Sequence, residues 1–105
     1  MQNQELRQKI INQVLLTLSE YDDIDFVCVS NYLLAKIDEG EPAGFVYVDN
    51  ISRETVDEIN EKLYNHFGLD VIVGVEITNF DYDIENIPQY SLKKMKANKV
   101  PPFDK

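Results

Sequence analysis

The chain has 105 residues, with 19 Asp and Glu against 10 Lys and Arg, a net charge of −9, an apolar fraction of 44% and a charged fraction of 28%. That length makes one domain, and that apolar content supplies a core without disulfides or metal, which argues against disorder throughout. The charge repels nucleic-acid phosphates and anionic membranes, disfavouring direct binding to either, and attracts basic surfaces.

Residues 1–20 lack a basic start followed by an uninterrupted apolar run, so no signal peptide is read there. Instead, Leu6, Ile10, Ile11, Val14, Leu15 and Leu18 recur at three- and four-residue spacing and predict an amphipathic helix over 3–20, with Leu16 on its other side. DFVCVS, residues 25–30, reads as a buried strand. Residues 31–37 either continue that strand past a bend or form a short irregular link; a long, bent strand hairpinned onto GFVYV, residues 44–48, is the expectation. Gly40, Pro42 and Gly44 mark the turn between them.

A second helix starts at the N-cap Ser52, with Ile51 spaced to staple onto Val56, and stops at Gly68. Its apolar stripe is Val56, Ile59, Leu63 and Phe67. Residues 70–78 predict a strand, with Val71, Val73, Val75 and Ile77 on one face and Ile72, Gly74, Glu76 and Thr78 on a more polar one. Beyond residue 79 the chain is acidic and turn-rich, with room for a short edge strand, and SLKKMKAN makes a short helix or none.

The predicted fold is α+β, a two-layer sandwich with a small mixed or antiparallel sheet of about three to four strands and two helices on one face. Its order is α-β-β-α-β followed by an irregular tail. Residues 1–90 form the domain, and 91–105 a basic, proline-containing tail. No apolar run approaches membrane-spanning length, and the cytoplasm is the expected compartment.

Residues suited to catalysis are sparse. Cys28 is the lone cysteine, set among β-branched and aromatic neighbours as a small core hydrophobe, and His66, the lone histidine, borders the second helix's stripe. Gly40, Gly44, Gly68 and Gly74 form no phosphate-binding loop, and no cofactor is expected. Asp81, Asp83 and Glu85 alternate as at the start of a calcium loop, but Asn86 stands where glycine is needed and Leu92 where glutamate is, so a solvated loop is expected rather than a metal site. A non-enzyme follows.

The acidic pattern is more informative. Glu54, Asp57, Glu58 and Glu61 fall at i, i+3, i+4 and i+7, opposite the apolar stripe. Further clusters stand at Glu20, Asp22, Asp23 and Asp25, and at Asp38, Glu39 and Glu41. If these loops adjoin the helix, they make one anionic, nucleic-acid-like surface for a basic protein partner; otherwise the stripe is an ordinary solvated face. Lys93, Lys94, Lys96 and Lys99 supply four of the 10 basic residues, and without them the net charge would be −13. They either fold back on the acidic body, dock on a partner, or ride on a helix anchored by Leu92 and Met95.

In size and charge the chain resembles small acidic inhibitors and accessory factors of phages and mobile elements. That resemblance implies an inhibitor or immunity-type factor that plugs a basic, nucleic-acid-handling partner without turnover. Two alternatives stand beside it. One is a homodimeric assembly module, to which Gly74 and Leu16 point; the other is a small enzyme or ligand binder using Cys28, His66 or the Asp81–Glu85 loop.

Overall fold

The computed structural model describes residues 4–49, 51–78 and 89–104. Within them the order is α1 (Gln4–Leu18), β1 (Phe26–Val29), α2 (Asn31–Asp38), β2 (Ala43–Val48), α3 (Arg53–Phe67), β3 (Ile72–Ile77), β4 (Gln89–Ser91) and α4 (Leu92–Ala97). The sheet is mixed, in the order β3-β2-β1-β4. β1 pairs antiparallel with β2 and with β4, while β2 and β3 run parallel, joined by α3 as the crossover that parallel neighbours require. The α+β two-layer sandwich expected from the sequence is present.

Two expectations are corrected. Residues 31–37 do not extend β1; they lie in α2. Ser30 caps that helix, its Oγ accepting the Leu33 N–H at 3.1 Å, and Leu33 and Ile37, four residues apart, are fully buried against the sheet. The segment after residue 90 is not irregular throughout, because Ser91 ends β4 and caps α4 by accepting the Lys94 N–H. The acidic stretch containing Asp81, Asp83 and Glu85 lies outside the described residues.

All four described helices pack on one sheet face. Val27, Val29, Val46, Val48, Val73 and Val75 meet Ile10, Val14, Leu15 and Leu18 of α1, Leu33 and Ile37 of α2, Ile59 and Leu63 of α3, and Leu92 at the start of α4. Each large side chain buried there is worth roughly 1.5–3 kcal/mol relative to exposure. Gly44 is the closest approach, since a Cβ built on it would stand 2.8 Å from Leu33 Cβ and 2.9 Å from Leu33 Cα. Only glycine lets α2 lie this near β2. Among the described residues no helix is long and apolar enough to cross a membrane.

Candidate interaction surface

α3 begins where the sequence predicts. Ser52 Oγ accepts the Thr55 N–H at 3.1 Å, Ile51 packs against the core, and Gly68 ends the helix at φ 71°, donating its N–H to the Tyr64 carbonyl. Those ends fix the rotation of the helix. Val56, Ile59 and Leu63 are buried, so Glu54, Asp57, Glu58 and Glu61 project from the far side and are exposed.

Cations do little to neutralise this stripe. Lys62 turns away from it to Glu20 at 2.8 Å, reaching Glu58 only at 4.0 Å, and its ammonium also lies 4.8 Å from the Tyr21 ring centroid. The Glu20 carboxylate, followed by Tyr21, holds the Lys62 pKa well above its ordinary value. Arg53 pairs with Glu76 of β3 at 3.5 Å. No ion pair among the described residues reaches Glu54, Asp57 or Glu61.

The other predicted acids divide into two groups. Asp22 and Asp23 are exposed in the turn after α1 and share a shallow cleft with Ile51, Ser52 and Thr55, so they extend the stripe beyond the N-terminus of α3. Asp25 instead acts as a clasp. Its Oδ1 accepts from Ser91 Oγ at 2.8 Å and from the Lys93 N–H at 3.0 Å, and its carbonyl accepts the Leu92 N–H. The Lys93 N–H is the main reason its pKa lies below the ordinary value. Asp38 meets Arg7 at 2.6 Å, while Glu39 and Glu41 each lie 3.2 Å from Lys36, whose pKa they raise, Glu41 foremost. Arg7 sits near the start of α1 and the Asp22–Asp23 turn follows its end, about 18 Å further along at ~1.5 Å per residue. Of the ten predicted acids, four therefore share the outer face of α3, Asp22 and Asp23 border the cleft at its N-terminus, with Asp23 also sharing a cleft with Asp25 and Lys93, and Asp25, Asp38, Glu39 and Glu41 are held in other contacts.

The lysine-rich helix is anchored through its apolar side. Leu92 is 1% exposed, and Met95 and Phe103 pack against the core. Lys96 Nζ donates to the Ser19 carbonyl at 3.1 Å and sits 6.0 Å from the Phe103 ring centroid. Lys93, Lys94, Lys96 and Lys99 form no ion pair within 4 Å among the described residues.

Cys28 is 1% exposed, yet it points to the sheet face opposite the helices, between Tyr47 and Gln89 of the neighbouring strands. Burial, and secondarily the charge of Asp49, raises its thiol pKa and holds it protonated. His66 lies at the end of α3, edge-on to Phe67 at 4.9 Å and in a cleft with Lys9, Gln13 and Asp70. No described cleft contains both Cys28 and His66, and among the described residues no three His, Cys, Asp or Glu converge to hold a metal ion.

Sequence reasoning missed an apolar groove at the β2–β3 edge of the sheet, lined by Phe45, Ile72 and Gly74 of the strands and by Tyr32 of α2 and Asn60 of α3. There Phe45 is 46%, Ile72 60% and the adjacent Tyr32 64% exposed. The alternation of Ile72 and Gly74 with buried valines was a signal for it, but their juxtaposition with Phe45 depends on the parallel pairing of β2 and β3. No protein-family model, curated protein or solved structure matches the chain.

Proposed function

We propose that this chain is a non-catalytic binding protein that occupies a basic surface of a nucleic-acid-handling partner, inhibiting or regulating it as a steric and electrostatic plug. One observation carries the reading: the segregation of charge. Acids at the end of α2 are matched by Arg7 and Lys36, whereas Glu54, Asp57 and Glu61, continued by Asp22 and Asp23, stand without a paired cation among the described residues. A solvated surface ordinarily intersperses both signs. A one-sign field supports fast, salt-sensitive encounter with a surface of opposite sign, and a basic stripe is the usual footprint of a protein that handles nucleic acid.

Affinity capture from cells that carry the chain, at low and then high salt, tests this reading. The wild type should retain a basic protein that elutes as salt rises, and Glu54→Gln/Asp57→Asn/Glu58→Gln/Glu61→Gln should lose it while keeping its fold. Equal retention by that variant removes the stripe from the account.

A second reading, the homodimeric module, draws on the exposed Phe45 and Ile72. The net charge of −9 opposes it by pressing like surfaces apart. Sedimentation at tens of micromolar protein separates the two, because a monomer excludes the module.

A further inference from the structure

We propose that Asn60 is an edge guard: its carboxamide takes the place of a neighbouring strand on β3 and keeps a second copy of this chain from pairing there. β3 is an outermost strand, with β2 as its only strand neighbour among the described residues. Hydrogen bonding assigns its two sides. Ile72 donates its N–H to the Pro42 carbonyl at 3.0 Å and Thr78 to that of Val48 at 2.8 Å, so Ile72, Gly74, Glu76 and Thr78 turn their backbone groups toward β2. Alternation then turns those of Val73, Val75 and Ile77 away from the sheet. Such an outward row is a template for another strand.

The composition of this edge favours pairing. β3 reads IVGVEI, with neither the proline nor the lysine that commonly blunts an edge, and beside it Ile72 is 60% and Phe45 46% exposed. At the other side of the sheet β4 is only three residues long, which is itself a protection, whereas β3 has six.

Asn60 supplies what β3 otherwise lacks. α3 lies on the valine face of the sheet, and from there the Asn60 side chain reaches the edge. Its Oδ1 accepts the Val75 N–H at 2.7 Å and its Nδ2 donates to the Val75 carbonyl at a longer 3.5 Å. These two contacts reproduce the acceptor and donor that a paired strand would present. The backbone of an added strand would lie about 4.8 Å from β3, in space that the carboxamide occupies. Oδ1 also stands 3.8 Å from where a Cβ on Gly74 would project, on the face opposite the helices, so the side chain wraps the edge. Val75 is the middle of the three outward residues; with it taken, Val73 and Ile77 stand roughly 13 Å apart and carry no continuous ladder. Seven residues before Asn60, on the same side of α3, Arg53 reaches Glu76 at 3.5 Å as a second, solvent-exposed strap across the edge.

The guard is independent of whatever the acidic stripe binds, and amide hydrogen exchange with sedimentation tests it. The wild type should be a monomer at tens of micromolar, with the Val75 amide exchanging at least about tenfold more slowly than the equally outward Val73 amide. Asn60→Ala keeps a good helix former in α3. It should speed Val75 exchange about tenfold in dilute solution. At tens of micromolar it should self-associate, and the Val73 and Ile77 amides should gain protection as it does. A folded Asn60→Ala that stays monomeric reduces Asn60 to a tether between α3 and the sheet and overturns the guard. Association without new protection at Val73 and Ile77 places the contact elsewhere and overturns it too. So does a wild-type dimer protected at those two amides, because its edge is open. If Asn60→Ala does not fold, the wild type decides alone: a Val75 amide that exchanges as fast as that of Val73 has no guard over it.

Discussion

Asp57→Asn/Glu61→Gln should stabilise the protein. On α3, Glu54–Asp57 and Glu58–Glu61 are three residues apart, and Glu54–Glu58 and Asp57–Glu61 four apart, so each pair is adjacent on the helix surface. A like-charged pair at such spacing opposes the helix by about 0.2–0.5 kcal/mol. The double variant removes three of these four pairs. It retains Glu54 in the first turn, where the helix dipole favours an anion by about 0.3–1 kcal/mol, and it retains Glu58 beside Lys62. Both substituted positions are exposed, and the amides are close to the acids in helix propensity, so neither burial nor propensity alters the balance much. The net gain is roughly 0.6–1.5 kcal/mol at low ionic strength. Urea unfolding measures it as a higher midpoint with an unchanged slope. In about 1 M salt, where the screening length is ~3 Å, most of the gain should vanish. A variant no more stable than the wild type at low salt, or a gain that persists at high salt, refutes the reasoning. The carboxylates proposed to bind a partner are thus expected to weaken the helix that carries them.

Three further outcomes follow from the geometry. Gly44→Ala drives a methyl group into the α2 backbone at Leu33 and should cost about 1–3 kcal/mol, whereas Gly74→Ala crowds the Phe45 ring, a side chain that can shift, and meets Asn60 Oδ1 only at an ordinary contact distance, and should cost less; equal urea midpoints for the two variants would contradict the close approach of α2. Because the folded state lowers the Asp25 pKa, its contribution to stability is present above the ordinary value of 3.8 and is lost as pH falls through the lowered one. Asp25→Asn should therefore be less stable at neutral pH and lose less stability than the wild type on acidification; parallel acid-unfolding curves would count against the clasp. Cys28, buried and held protonated, should react with a thiol reagent only as the protein opens, so a native-state rate equal to that of the unfolded chain would show the thiol to be accessible.

Elements with their own periodicity and caps were legible in the sequence. α1 and α3 emerge from apolar spacing, Ser52 and Gly68, and once the rotation of α3 is fixed, the outward position of its four carboxylates follows. α2 was harder because it is short and follows directly on a β-branched strand. Its signals, the Ser30 cap and the four-residue spacing of Leu33 and Ile37, were present but faint beside the strand pattern. What depends on distant pairing was not legible. Asp25 receives Ser91 from 66 residues away and Asp38 meets Arg7 from 31 away, so neither acid's structural role has a local signature. The groove likewise exists only because parallel pairing sets Phe45 opposite Gly74.

The placement of β4 also has a consequence for the order in which the molecule is made. β1 lies inside the sheet, yet one of its two partners is the last strand of the described chain, and the core side chain Leu92 arrives immediately after it. During synthesis, helices α1 to α3 and strands β1 to β3 leave the ribosome first, at roughly 5–20 residues per second. Until Gln89–Leu92 emerge, Phe26–Val29 remains an unpaired edge, and the place of Leu92 in the core stays unfilled. Completion of the sheet therefore waits on Gln89–Leu92, leaving a nascent chain of this protein open to misplaced strand pairing along β1 for seconds.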